Sequence, residues 1–243
     1  MKRGIPFLWI AAIYGSLAFL PQTPIWQLQS ELHWNYIGHI LFFLPPLVGL
    51  LLNRRKVDLY GLRTDRFAES AKVGLVFAAL LITFPLAADI AFGTLTLRPE
   101  LRGQVAQSLF YFLVMVGVAE ELLFRGYFQG ELNAQFTKRY RFLGASITHG
   151  FGITVVVFTA CHMVPGVYMP AAWEMVYVFG ASILFGLLRE WTQSLAAPIL
   201  AHFGLLVHRY LFGMSLPAGV ATAIAWFLAF WFLAKTLEKR QTT

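Results

Sequence analysis

Charge is scarce in this chain and cysteine almost absent. Asp, Glu, Lys and Arg make up 13% of its 243 residues, against about 25% in an ordinary soluble domain. The single cysteine, Cys161, excludes an intrachain disulfide and any thiolate metal cluster. Nothing beside it in the sequence would activate its thiol, so it reads as small apolar filler and not as a nucleophile. No glycine-rich phosphate loop, internal repeat or low-complexity segment is present. There is no HExxH pair, which removes the soluble zinc-protease reading, and no GxSxG elbow, which disfavours serine intramembrane proteolysis. Intramembrane aspartates do not pair either, because Asp89 stands alone while Asp58 and Asp65 fall in a loop. Aspartyl intramembrane proteolysis is therefore disfavoured.

What the chain has in quantity is apolar surface: 58% hydrophobic residues, 16% aromatic, and a mean hydropathy of +0.64. A crossing helix needs about 20 such residues, and eight stretches qualify: 5–20, 34–52, 72–94, 106–124, 150–168, 172–188, 193–212 and 217–234. Short connections make these one integral-membrane domain over 1–243, an all-α polytopic helical bundle. The first stretch follows Lys2 and Arg3 but precedes no small-residue cleavage pattern, so it is expected to stay as a helix. With the N-terminus inside, Lys2, Arg3, Arg54, Arg55, Lys56, Arg63, Arg66, Lys72, Lys138, Arg139, Arg141, Arg189, Lys235, Lys239 and Arg240 fall on the inner side. Arg98, Arg102 and Arg209 fall outside, fifteen against three. That asymmetry follows the positive-inside rule and puts both termini in the cytoplasm. It also accounts for the net charge of +7 without nucleic acid as a partner. The basic loop from Asn53 to Phe67 reads as a topology anchor, with contact to anionic lipid heads as the lesser reading.

Ionisable side chains inside spans are costly, so each is a functional candidate. The inventory is Asp89, Glu120, Glu121, Arg125, His162, Glu174, His202 and His208, with His39 in the second span and His33 and His149 near span ends. Glu121 and Arg125 are four apart, on one helix face, in the favourable Glu-before-cation order. They compensate each other. Glu120 is turned 100° away and its own i+4 neighbour is Phe124, so it is the carboxylate left over, suited to general-base work. The bland reading is one buried salt-bridge cluster locking helices together. Phe158 and His162 share a face of the fifth span. In the seventh, Pro198 four residues before His202 is expected to free a carbonyl and bend the helix. His208, beside Arg209 and Tyr210, reads as interfacial. One Glu and two His from three helices could hold a catalytic zinc, or could position and deprotonate a water with no metal.

Three motifs in order then resemble one family. Glu120, Glu121 and Arg125 spell EExxxR, extended by Phe124, Arg125 and Gly126 as FRG; Phe158 and His162 spell FxxxH; and His202 follows a proline in a late helix. The pattern, over about 104–212, resembles the CPBP family (CAAX protease, or Abi) of glutamate-dependent intramembrane proteases. The resemblance implies Glu120 as general base, Glu121 and Arg125 as its support with Phe158, and His162 and His202 as the groups that orient water or hold the oxyanion. Whether zinc sits among Glu120, His162 and His202 is left open by the resemblance. The chain departs from the family at Leu206, where an Asn is usual, which removes an expected oxyanion donor. The segment 126–149 between the first two motifs is long and is expected to shape substrate access.

The resemblance implies hydrolysis near the C-terminus of a membrane-anchored protein, lipidated or tail-anchored. Missing eukaryotic targeting signals favour a bacterial inner-membrane protein and a non-prenylated substrate. The competing class is a non-proteolytic transporter or scaffold that uses the same charges as a proton relay or helix lock.

Overall fold

The computed structural model describes residues 4–19, 22–24, 26–27, 36–52, 56–101, 103–163 and 172–239. Lys2, Arg3, His33, Arg54, Arg55, Arg102 and Arg240 lie outside the described residues, as do parts of the first, second and fifth predicted stretches. Helices are α1 (Ile5–Phe19), α2 (Tyr36–Phe42), α3 (Leu44–Leu52), α4 (Lys56–Leu59), α5 (Phe67–Ala91), α6 (Val105–Gln135), α7 (His149–Cys161), α8 (Ala172–Thr192), α9 (Ala196–Leu211) and α10 (Leu216–Lys239). Each predicted stretch carries helix. By length and composition, however, only α5, α6 and α8 suffice to cross a membrane among the described residues. The protein is thus an all-α membrane protein with one exception.

The exception is a hairpin, β1 (Arg139–Phe142) with β2 (Ala145–Thr148), antiparallel with Arg139 opposite Thr148 and Phe142 opposite Ala145. Leu143 and Gly144 form its two-residue turn, both at positive φ (47° and 78°), the backbone a tight hairpin requires. The predicted long connection over 126–149 is therefore mostly ordered. Its first part continues α6 to Gln135, and the rest is this hairpin.

In lipid, helices gain little hydrophobic energy from each other, so they pack through small residues and buried polar bonds. The crossing of α5 and α9 uses both. A Cβ on Gly204 would fall 2.5 Å from the Ala78 Cα, and one on Gly74 would fall 2.8 Å from the Ala197 Cα. The Ala197 N–H donates to Ser70 Oγ at 2.8 Å. This contact fixes where α9 sits, and with it His202.

The two ends of the bundle are held by different polar ties. At one end Lys56 meets Glu131 at 2.6 Å, Tyr60 donates to the same carboxylate at 2.7 Å, and Arg189 donates to the Leu59 carbonyl at 2.9 Å. Burial, and then the bond to Glu131, push the Tyr60 phenol well above its ordinary pKa, so it remains a donor. At the other end the Arg98 N–H donates to Leu211 O at 2.9 Å, and Asp89 meets His208 Nε2 at 2.8 Å. Asp89 also accepts from Thr94 and Ser215. His208 is 2% exposed, so the interfacial reading is corrected. It is a buried tie between α9 and the C-terminal end of α5.

Candidate active site

Helix α6 is α-helical at both ends but widens to π geometry over Tyr111–Val118 and Leu122–Phe128. Only the turn Ala119–Glu121 between them is α-helical. Such π segments recur at functional sites because they re-aim side chains that a regular helix would space evenly. Here they flank the adjacent carboxylates. Glu120 and Glu121 are both buried.

The predicted pair forms. Arg125 Nη1 lies 3.2 Å from Glu121 Oε1, with neither side chain exposed. The guanidinium also donates to Ser182 Oγ of α8 at 3.1 Å and rests 3.9 Å above the Phe158 ring of α7. Arg125 thus ties three helices, and Phe158 serves as its aromatic floor. His202 joins this group: its Nδ1 donates to Glu121 Oε1 at 2.8 Å, and its ring stacks on Phe185 at 4.7 Å between centroids.

Glu120 differs from expectation. It is not left over, because His39 Nε2 of α2 reaches its Oε1 at 3.2 Å. The Tyr111 hydroxyl lies 3.2 Å from His39 Nδ1. With Glu120 ionised, the neutral imidazole donates from Nε2 and accepts the Tyr111 proton at Nδ1, which sets its tautomer. Glu120 Oε2 is buried and has no hydrogen-bond partner among the described residues. Sequence reasoning placed His39 in a span but assigned it no role. The available signal was that an intramembrane histidine needs a partner; periodicity within one helix could not say which.

His162 sits at the C-terminal end of α7, where its Nδ1 donates to the Phe158 carbonyl at 2.9 Å. The two rings lie 4.6 Å apart, so the shared face is real. Of the three predicted catalytic residues, His162 and His202 line one cavity and Glu120 is not among its lining residues. Both His162 and His202 spend Nδ1 on protein acceptors, which leaves Nε2 as the nitrogen available to water or substrate. They line a cavity of about 90 Å³ with Phe158, Tyr177, Leu206 and Tyr210. Leu206 stands on its wall, so the missing donor is missing from the site itself. Arg209 and Glu174 close another side of this cavity as an ion pair at 2.6 Å.

Pro198 does not bend α9. The helix begins at Ala196, so the proline occupies the first turn, where its absent N–H would have had no intrahelical partner.

A metal was the open alternative for Glu120, His162 and His202. The outer contacts of both histidines are of the kind metal-bound imidazoles use. Among the described residues, however, no three His, Cys, Asp or Glu side chains come together as a group able to hold an ion. The residues as placed do not fit a three-ligand zinc site.

Residues 102–208 match the family model described as type II CAAX prenyl endopeptidase, Rce1-like. The matched segment contains all three motifs and coincides with the 104–212 core that they outline. No curated protein and no solved structure matches the chain.

Proposed function

From the membership of residues 102–208 in the CPBP family of CAAX-type proteases, we propose that the protein is an intramembrane endopeptidase in which Glu120 activates water. The observation that carries the reading is the inequality of the two Glu120 oxygens: Oε1 is held by His39, while Oε2 is buried and unpartnered. That free oxygen takes a proton from water. The water oxygen attacks the scissile carbonyl carbon, and the proton then passes to the leaving amide nitrogen as the C–N bond breaks, restoring the carboxylate. His162 and His202, through Nε2, orient the water and face the developing oxyanion, the largest single term in most acyl transfers. Glu121 and Arg125 hold His202 and Phe158 in place. No step passes through a metal ion.

The substrate is a membrane-anchored protein cut near its C-terminus, with a tail-anchored, non-prenylated chain favoured over a prenylated one. The protein is read as one domain that crosses a bacterial inner membrane eight times, both termini cytoplasmic. The shorter helices are supported as crossings by the segregation of Lys56, Arg139 and Arg189 from Arg98 and Arg209 to opposite ends. Proteomic comparison of membrane-protein C-termini tests the reading. Processed C-termini present with the wild type should vanish with Glu120→Gln; identical C-termini in both would overturn it.

A further inference from the structure

We propose that the hairpin and the outer faces of α7 and α8 form a binding site for an anionic phospholipid, with an acyl chain in the groove and the phosphate beside Lys138. This site is separate from the catalytic cavity, and its test does not depend on the Glu120 chemistry.

A groove of about 940 Å³ opens on the outside of the bundle, lined by Tyr140, Phe142, Phe151, Gly152, Phe179 and Ile183 among others. Among the described residues no acidic side chain lines it. Gly152, in the first turn of α7, lines the groove with open space beside it: a Cβ there would meet nothing within 4 Å. Several lining residues are large and exposed, Tyr140 (38%), Phe142 (40%), Val156 (61%) and Phe179 (43%), so the groove faces lipid and not protein.

Any lipid tail would cover an apolar face; the charges select among lipids. The pleat of β1 sends Tyr140 and Phe142 toward the groove and Arg139 and Arg141 to the other face, with all four exposed. Lys138 stands on the groove side, its ammonium 5.2 Å from the centre of the Tyr140 ring. Arg139 is partly engaged, donating to Ser146 O at 3.0 Å and lying 3.7 Å from the buried Glu190 carboxylate. The hairpin is therefore aromatic toward the acyl region and cationic at its rim, the pattern of an interfacial segment that draws anionic headgroups. Helix α7 adds a reason for a specific occupant. Its 13 residues span about 20 Å at 1.5 Å per residue, short of the roughly 30 Å hydrocarbon core. A bound chain seated under the hairpin fills that mismatch.

The test uses full-length protein in detergent, mixed with phosphatidylglycerol or phosphatidylcholine of identical acyl chains, with lipid retention read by native mass spectrometry. Wild type should retain phosphatidylglycerol preferentially, and less so as salt rises. Lys138→Gln should lower the preference about fivefold. Gly152→Trp, which fills the groove, should reduce retention of both lipids while melting as wild type in lipid-free detergent; Gly152→Leu replaces it if the tryptophan impairs folding. Equal retention of the two lipids by wild type overturns the proposal. So does a preference that survives Lys138→Gln, or retention unchanged on filling the groove. Loss of proteolysis in the filled variant with lipid retention intact would give the groove to substrate, and also overturn it.

Discussion

Replacing Arg125 by methionine should separate the two tasks that adjacent carboxylates perform. Arg125 and Glu121 lie 3.2 Å apart with both side chains fully buried. At that distance and an effective dielectric of about 20, the Coulomb attraction is about 5 kcal/mol, and breaking a buried pair from one side costs about 3–5 kcal/mol. The variant also loses the bond to Ser182 and the contact over Phe158. Against this, His202 still donates to Glu121, so the stranded carboxylate keeps one partner and the expected loss is near the lower limit, about 3 kcal/mol. Glu120→Gln should behave oppositely. The amide oxygen can still accept from His39, so stability should change by less than about 1 kcal/mol, while turnover falls by about 10²–10⁴. Unfolding in detergent and turnover of a processed substrate, measured on both variants, check the pair of outcomes. A second arm guards against a generic packing defect: Glu121→Gln with Arg125→Met, removing both charges, should recover part of the lost stability. If Arg125→Met unfolds with the wild type, or Glu120→Gln unfolds as early as Arg125→Met, the division of labour is wrong.

Three further outcomes follow from particular contacts. His39→Ala removes the donor to Glu120 Oε1 and should lower kcat by about 10² through misplacement of the base, with KM little changed; steady-state kinetics would show it. Leu206→Asn restores a donor on the cavity wall and should raise kcat, by up to about 10² if the donor reaches the oxyanion; no change in kcat would mean another group already does that work. Gly204→Leu drives a side chain into the Ala78 backbone and should cost about 1–3 kcal/mol of stability, with activity falling alongside because His202 lies two residues away; detergent unfolding measures the first part.

Periodicity within one helix made part of this site legible, and its limits explain the rest. Glu121 and Arg125 could be paired from the sequence because an i,i+4 relation survives even the local π geometry of α6. The face shared by Phe158 and His162 was legible for the same reason. Partners on different helices were not. His39 lies 81 residues from Glu120, and His208 lies 119 residues from Asp89. No local rule links such positions, so Glu120 read as unpaired and His208 as interfacial. Pro198 was misread because its effect depends on where the helix begins, and boundaries are the weakest part of any sequence reading.

These misreadings change the argument about why charge is buried here at all. Had Glu120 been unpaired, a single carboxylate in lipid would need catalysis as its sole justification. Instead each carboxylate has one oxygen engaged, Glu120 by His39 and Glu121 by Arg125 and His202, and each has a second oxygen without a partner among the described residues. Half-satisfied buried networks are unfavourable for stability compared with apolar packing. A lock evolved only to hold helices together would be expected to satisfy both oxygens, since Ser182 and Tyr111 already show that donors can be placed at this depth. An open acceptor on each carboxylate, beside two histidines whose Nδ1 atoms are fixed, is better explained by a guest that completes the hydrogen bonding when it arrives. Water and a peptide carbonyl are guests of that kind.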